Sequence, residues 1–283
     1  MPASSPNASA IERVIRPRSG LAAIDMAELW RYRELFWQLA WRNVLIRYKQ
    51  TLLGVAWAVL QPLLTVAIGA VVFGRLANLP SNGVPYVLLT FAALLPWQYF
   101  SNAMTESSNS LIASQNMITK VYFPRLIIPG SAVMSGMIDF LISLVLLFLL
   151  MLYHQTALTP RLLLLPFFFL YTTMAAMAVG MWLSALNVKY RDVKHVVPFL
   201  TRMGLYVTPV FFSISLIPQK WLMLAYTLNP MVGAVEGFRW CILGEQFEPY
   251  WPGMTASVAV VGLLLITGAY YFRTTEKTFA DVI

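Results

Sequence analysis

Cysteine occurs once and histidine twice in the 283 residues. A single thiol, Cys241, excludes an internal disulfide framework and leaves too few ligands for a cysteine-based metal site. The histidines, His154 and His195, are 41 residues apart and form no H-E-x-x-H pair, so a shared metal is not expected. No G-x-x-x-x-G-K-[ST] phosphate loop is present, which excludes ATP binding in the usual nucleotide cradle. Charge is also scarce. Charged residues make up 11% and apolar residues 59%, with mean hydropathy +0.67, against about 25% charge in soluble chains. So few charges cannot solvate a globule of this size, and much of the surface must face lipid. The formal charge of +8 comes from 20 Lys and Arg against 12 Asp and Glu. These are too few and too scattered for a nucleic-acid groove, and anionic headgroups or loop topology account for them better.

What the sequence has is apolar length. Spanning helices need about 20 apolar residues, and the charge-poor intervals predict an all-α integral membrane fold of six spans, near 53–74, 86–106, 127–152, 162–186, 196–214 and 254–272. Asp139 interrupts the third and Arg202 the fifth. The first run begins near Leu52 behind a polar, basic leader, too far in and too long for a cleaved signal. Residues 1–25 read as a disordered cytoplasmic tail and 51–283 as the transmembrane domain. With the N-terminus inside, 15 Lys and Arg fall on the inner side and four (Arg75, Arg161, Lys220, Arg239) outside. The positive-inside rule therefore predicts a multi-pass chain with both termini cytoplasmic, and puts the two histidines on opposite sides.

Two regions break the pattern. Within 26–50, Arg31, Gln38, Arg42 and Lys49 fall within about 40° on a helical wheel, opposite Leu29, Phe36, Leu39, Ala40 and Val44. A Trp- and Arg-rich helix of that kind is expected in the headgroup plane. Residues 216–247 hold an apolar run too short to span, broken by Pro230 and Gly233 and ending in Glu236 and Arg239. This predicts re-entrant helices between spans five and six. The Gly233-x-x-x-Gly237 spacing permits close helix approach and suggests a tightened hairpin more than a dimer seam.

Ionisable residues inside spans are functional candidates because each costs roughly 2.5–3.5 kcal/mol to insert unpaired. Asp139 and Arg202 are expected to pair or to touch substrate, and Glu106 reads as a solvated residue at an inner span end. Aromatics at 14% cluster at Trp97, Tyr99 and Phe100, and again at Tyr206, Phe211 and Phe212. Most belong to interfacial belts; some are expected to face an internal path where sugar rings stack and slide.

Five ordered blocks then match something specific: Arg47-Tyr-Lys-Gln-Thr-Leu-Leu-Gly-Val-Ala-Trp-Ala-Val-Leu-Gln-Pro62, Leu95-Pro-Trp-Gln-Tyr-Phe-Ser-Asn102, Thr119-Lys-Val-Tyr-Phe-Pro-Arg-Leu-Ile-Ile-Pro129, Leu186-Asn-Val-Lys-Tyr-Arg-Asp-Val-Lys194 and Leu228-Asn-Pro-Met-Val-Gly-Ala-Val-Glu-Gly-Phe-Arg239. From about Leu29 onward the chain resembles the ABC-2 permease family that exports lipid-linked polysaccharide such as O-antigen, capsule and teichoic acid. The resemblance implies a homodimer in the bacterial inner membrane, served by two copies of a cytoplasmic ATPase that binds ATP and Mg. This chain would carry no cofactor and do no catalysis. The helix at 26–50 would be the family's interface helix, and 108–123, with Ser114, Asn116, Lys120 and Tyr122, its coupling helix. Arg42, Arg47 and Lys49 would receive the substrate's diphosphate. Trp57, Tyr99 and Tyr206 would line the channel, and Pro230, Glu236 and Arg239 would belong to the exit gate. The rival readings are an ABC-2 exporter of drugs or small lipids and an integral-membrane glycan-modifying enzyme.

Overall fold

The computed structural model describes residues 26–49, 54–81, 83–190, 192–214, 217 and 226–279. The tail at 1–25, Lys220 and most of the first half of the expected re-entrant stretch lie outside the described residues. Every regular element among the described residues is helical: α1 (Met26–Arg31), α2 (Arg33–Lys49), α3 (Gly54–Gly69), α4 (Tyr86–Ala113), α5 (Gln115–Lys120), α6 (Ile127–Ser135), α7 (Met137–Tyr153), α8 (Leu165–Lys189), α9 (Val193–Val207), α10 (Val232–Leu243) and α11 (Trp251–Glu276). A π-helical stretch, Ala70–Leu76, prolongs α3, and a 3-10 turn, Pro160–Leu164, leads into α8.

Four stretches are long and apolar enough to cross a membrane: Ala56–Leu76, Ile127–Tyr153, Pro160–Lys189 and Trp251–Glu276. They correspond to the first, third, fourth and sixth expected spans. The second and fifth differ for physical reasons. Helix α4, with 28 residues, has the length, but from Ser101 to Ser110 it reads Ser-Asn-Ala-Met-Thr-Glu-Ser-Ser-Asn-Ser. Its apolar half, Leu88–Leu95, is buried by protein instead of facing outward. α4 is the post around which the others pack. Helix α9 has 15 residues, about 22 Å of rise, short of the roughly 30 Å hydrocarbon core. The chain leaves the helix at Thr208, whose hydroxyl oxygen accepts Asn229 Nδ2 at 2.9 Å.

The third stretch is interrupted at Gly136, between α6 and α7. Asp139 therefore stands in the first turn of α7, where the helix dipole favours a carboxylate. That placement explains how an acid is tolerated in so apolar a segment. Small residues set the tight seams. On α8, Ala175, Ala176 and Ala178 are fully buried, and a Cβ on Gly180 would meet Ser107 Oγ of α4 at 2.5 Å. α10 is buried along nearly its whole length. Its Gly233 lies against Tyr171 of α8 and Ser257 of α11, and its Gly237 against the Phe168 ring of α8. The glycine pair thus serves a seam within the chain. α10 ends at Gly244, whose φ of +61° suits glycine, and where a Cβ would stand 2.9 Å from Thr159 Cγ2.

The expected N-terminal helix is two helices, broken at Tyr32, with the anticipated phase. Leu39, Ala40 and Val44 are buried and Leu29 and Phe36 half-buried, while Arg31, Gln38, Arg42 and Lys49 are exposed. A third sector carries Trp30, Trp37 and Trp41, each more than half exposed. An outward row of tryptophans beside a cationic strip is the pattern of a headgroup-level helix.

Candidate functional site

Helices α2, α3, α4 and α7 line a half-open cavity of about 670 Å³. Arg42 and Arg47 are five residues apart, so they diverge by about 140° around α2; Arg42 points out, and Arg47 turns toward the cavity. The Arg47 guanidinium bridges two carboxylates, giving Nη1 to Asp139 Oδ2 and Nη2 to Glu106 Oε1. Tyr48 donates its hydroxyl to the other oxygen of Asp139, and Ser135 Oγ donates to Glu106 Oε2 at 3.1 Å. Both acids are thus fixed from two sides. Burial works against the charge on Arg47, but Glu106 and Asp139 outweigh it and hold its pKa above the ordinary value. Burial first, then the bond to Asp139 and its charge, raises the Tyr48 phenol, so it remains a donor at physiological pH.

Beyond the ion cluster the lining changes character. Trp57 of α3 and the largely buried Tyr99 of α4 contribute aromatic rings, Gln61, Gln98 and Asn102 offer amides, and Thr105 and Ser143 offer hydroxyls. Tyr99 is held by Thr173 Oγ1 at 3.2 Å and meets Phe140 edge-on and Phe169 at a tilt. Rings beside amides and fixed carboxylates suit a hydroxyl-rich, uncharged ligand. One arginine against two carboxylates leaves the lining net negative, which disfavours phosphate. A smaller depression of about 260 Å³ adjoins Glu106 and is lined by Arg42, Asn43, Asn109 and Ser114.

Several expectations change here. Asp139 does not pair with Arg202, which is exposed on α9; its partners are Arg47 and Tyr48. Glu106 is not merely solvated, since it holds Arg47. Arg47 is engaged with both acids, which separates it from the exposed Arg42 and Lys49. Tyr206 is exposed on α9 and does not line the cavity that holds Trp57 and Tyr99. Asn116, Lys120 and Tyr122 are exposed on and after α5, with Ser114 half-buried at its start.

Glu236 and Arg239 are fully buried. Arg239 donates to the carbonyls of Leu89 (3.2 Å), Phe212 (3.0 Å) and Val210 (2.8 Å), and lies 3.8 Å from Glu236 Oε1. Glu236 in turn accepts Tyr250 N–H at 3.2 Å. The Pro230 carbonyl accepts from Tyr171 at 2.7 Å and Ser257 at 2.9 Å. Three residues expected at a gate are thus internal fasteners of α10 in the described conformation. Sequence reasoning missed Tyr48, Gln61, Gln98 and Asn102. Their only signal is helical phase relative to Arg47, Trp57 and Tyr99. Among the described residues no group of three His, Cys, Asp or Glu gathers to hold a metal.

Apolar helices of membrane length around a polar, aromatic cavity define a multi-pass membrane protein with an internal ligand-sized space. Residues 34–243 match the family model described as ABC-2 type transporter. The chain belongs to that family and is a transport subunit. Over 259 residues it is 30% identical to an O-antigen export system permease protein RfbA of Myxococcus xanthus, covering 90% of this chain and 98% of the relative. Two proteins of the same description from Klebsiella pneumoniae are each 26% identical, covering 86% of this chain and 92% of the relative.

Proposed function

We propose that this chain is the membrane subunit of an exporter that moves undecaprenyl-diphosphate-linked polysaccharide of the O-antigen type across the bacterial inner membrane. It works as a homodimer with two copies of a separate ATPase that binds ATP and Mg. The observation that carries this reading is the cavity: a ring-and-amide lining beside an ion cluster, in a family member whose relatives are named for O-antigen export. The two short or buried helices, α4 and α9, complete six crossings, and α10 belongs to a re-entrant pair. Both termini are cytoplasmic. The diphosphate is received by the exposed Arg42 and Lys49 on α2, with Arg47 reserved for the carboxylates. α5, through Asn116, Lys120 and Tyr122, docks with the ATPase. The uncharged glycan passes Trp57 and Tyr99, and farther on Tyr206. The chain's own part is to bind, orient and gate.

Deleting the gene in its native host tests this. Loss of surface polysaccharide with lipid-linked glycan building up inside supports the reading; normal surface glycan with altered drug tolerance favours a small-molecule exporter.

A further inference from the structure

The turn after α11 has no role in the reading above, yet it is strongly built. Phe279 is fully buried and meets Phe272 edge-on with ring centroids 5.4 Å apart. Arg125, five residues beyond the end of α5, directs two separate groups to Glu276. Its backbone N–H donates to Glu276 Oε1 at 3.3 Å, and its guanidinium donates to the Glu276 carbonyl. The same guanidinium lies 5.9 Å above the Phe279 ring. Glu276 is held again by Arg273 at 2.6 Å. Helix ends leave carbonyls without intrahelical partners, and a cation there is favourable, so Arg125 closes the end of α11 while tethering the segment behind α5.

Phe272 and Phe279 share one apolar cluster with Leu39 of α2, Ile118 of α5 and Phe123 just after α5. A larger cluster gathers around the first part of α4 and of α8, and Met177 and Leu265 pack against both. The element assigned to the ATPase, α5, is therefore packed into one block with α2 and the end of α11. From that block α2 continues eight residues past Leu39 to Arg47, which grips Glu106 and Asp139 in the cavity.

We propose that Glu276 and Phe279 are positioning residues for energy coupling: the turn after α11 braces α5 against α2, so that a push on α5 reaches the Arg47 cluster. The proposal rests on the exporter reading. Dispersion within packed interiors resists shear, and the charged clasp to Arg125 keeps the segment behind α5 from swinging free.

The test uses the full-length chain co-purified with its ATPase in lipid nanodiscs. ATP turnover is measured with and without lipid-linked glycan from the host, and surface glycan is measured in cells. Phe279→Ala should keep the complex assembled and basal turnover within twofold, while glycan-stimulated turnover and surface glycan fall at least fivefold. Phe279→Leu should restore most of both. Glu276→Gln, which retains the backbone carbonyl, should give a smaller loss of the same kind, and carries the test should Phe279→Ala fail to accumulate. Unchanged stimulation, or export falling only in step with the amount of complex, overturns the brace. A wild-type complex that assembles yet shows no stimulation overturns the exporter reading instead, and the brace with it.

Discussion

At the scale of single residues, helical phase decides what a charge does. Arg42 and Arg47 read alike as basic side chains near the start of the apolar region, yet it is Arg47 that pairs with Glu106 and Asp139. Replacing Arg47 with Ala leaves two acids without their cation. The Glu106 side chain is 37% exposed, so solvent relieves part of the loss, and the expected destabilisation is about 1–3 kcal/mol. Thermal unfolding in detergent should show it, with Arg47→Lys recovering only part because an ammonium cannot bridge two carboxylates as a planar fork does. Arg239→Leu should be worse. Three carbonyls and Glu236 lose their partner in a dry site, at a cost of at least about 3 kcal/mol, and the membrane yield should collapse while Arg42→Ala accumulates normally. The sequence carried Asp139 as a site because a charge in an apolar run is conspicuous. It did not carry Tyr48 or the duty of Glu106, since both depend on which helices face each other across 91 and 59 residues of chain.

At the scale of elements, the long apolar helices were legible because the bilayer imposes length and composition on each one separately. α3 with its extension, α6 with α7, α8 and α11 all fall where the charge-poor intervals placed them. The phase of α2 was legible for a related reason: three kinds of surface, buried, aromatic and cationic, are written at 100° per residue. α9 ends earlier than the expected span: Thr208 stands before Pro209, which favours the extended backbone it adopts, and Asn229 then bonds its hydroxyl. The burial of Glu236 and Arg239 on α10 was not legible, because both look exposed by type while the fold encloses them. The glycines of α10 fix the spacing between α10 and α8. Gly237→Ala would drive a methyl group into the Phe168 ring, overpacking the seam by about 1–3 kcal/mol. Reduced thermal stability and a weakened export phenotype are expected, and a compensating Phe168→Leu in the same chain should recover part of the loss.

At the scale of the whole molecule, the proposed function divides recognition between two surfaces. In that proposal the exposed cationic strip of α2 is to attract an anionic headgroup from water, where screening is strong, with a Debye length of about 8 Å at physiological salt. The cavity, negative by one charge and lined with rings and amides, is to take the neutral part. Glycan-stimulated ATP turnover should therefore fall as salt rises from 50 to 500 mM (on the order of one Debye-length halving or more). In the double variant Arg42→Gln/Lys49→Gln it should be low and nearly salt-independent. Trp57→Ala should lower stimulation at every salt concentration, because stacking is not screened.

The account's central claim is that this chain conducts and a separate motor drives. The direct measurement is translocation of lipid-linked glycan in proteoliposomes containing the purified chain, with and without the ATPase. The account predicts no nucleotide cleavage and no movement by the chain alone, and ATP-dependent movement once the ATPase is added. Nucleotide hydrolysis or glycan modification by the isolated chain would contradict it.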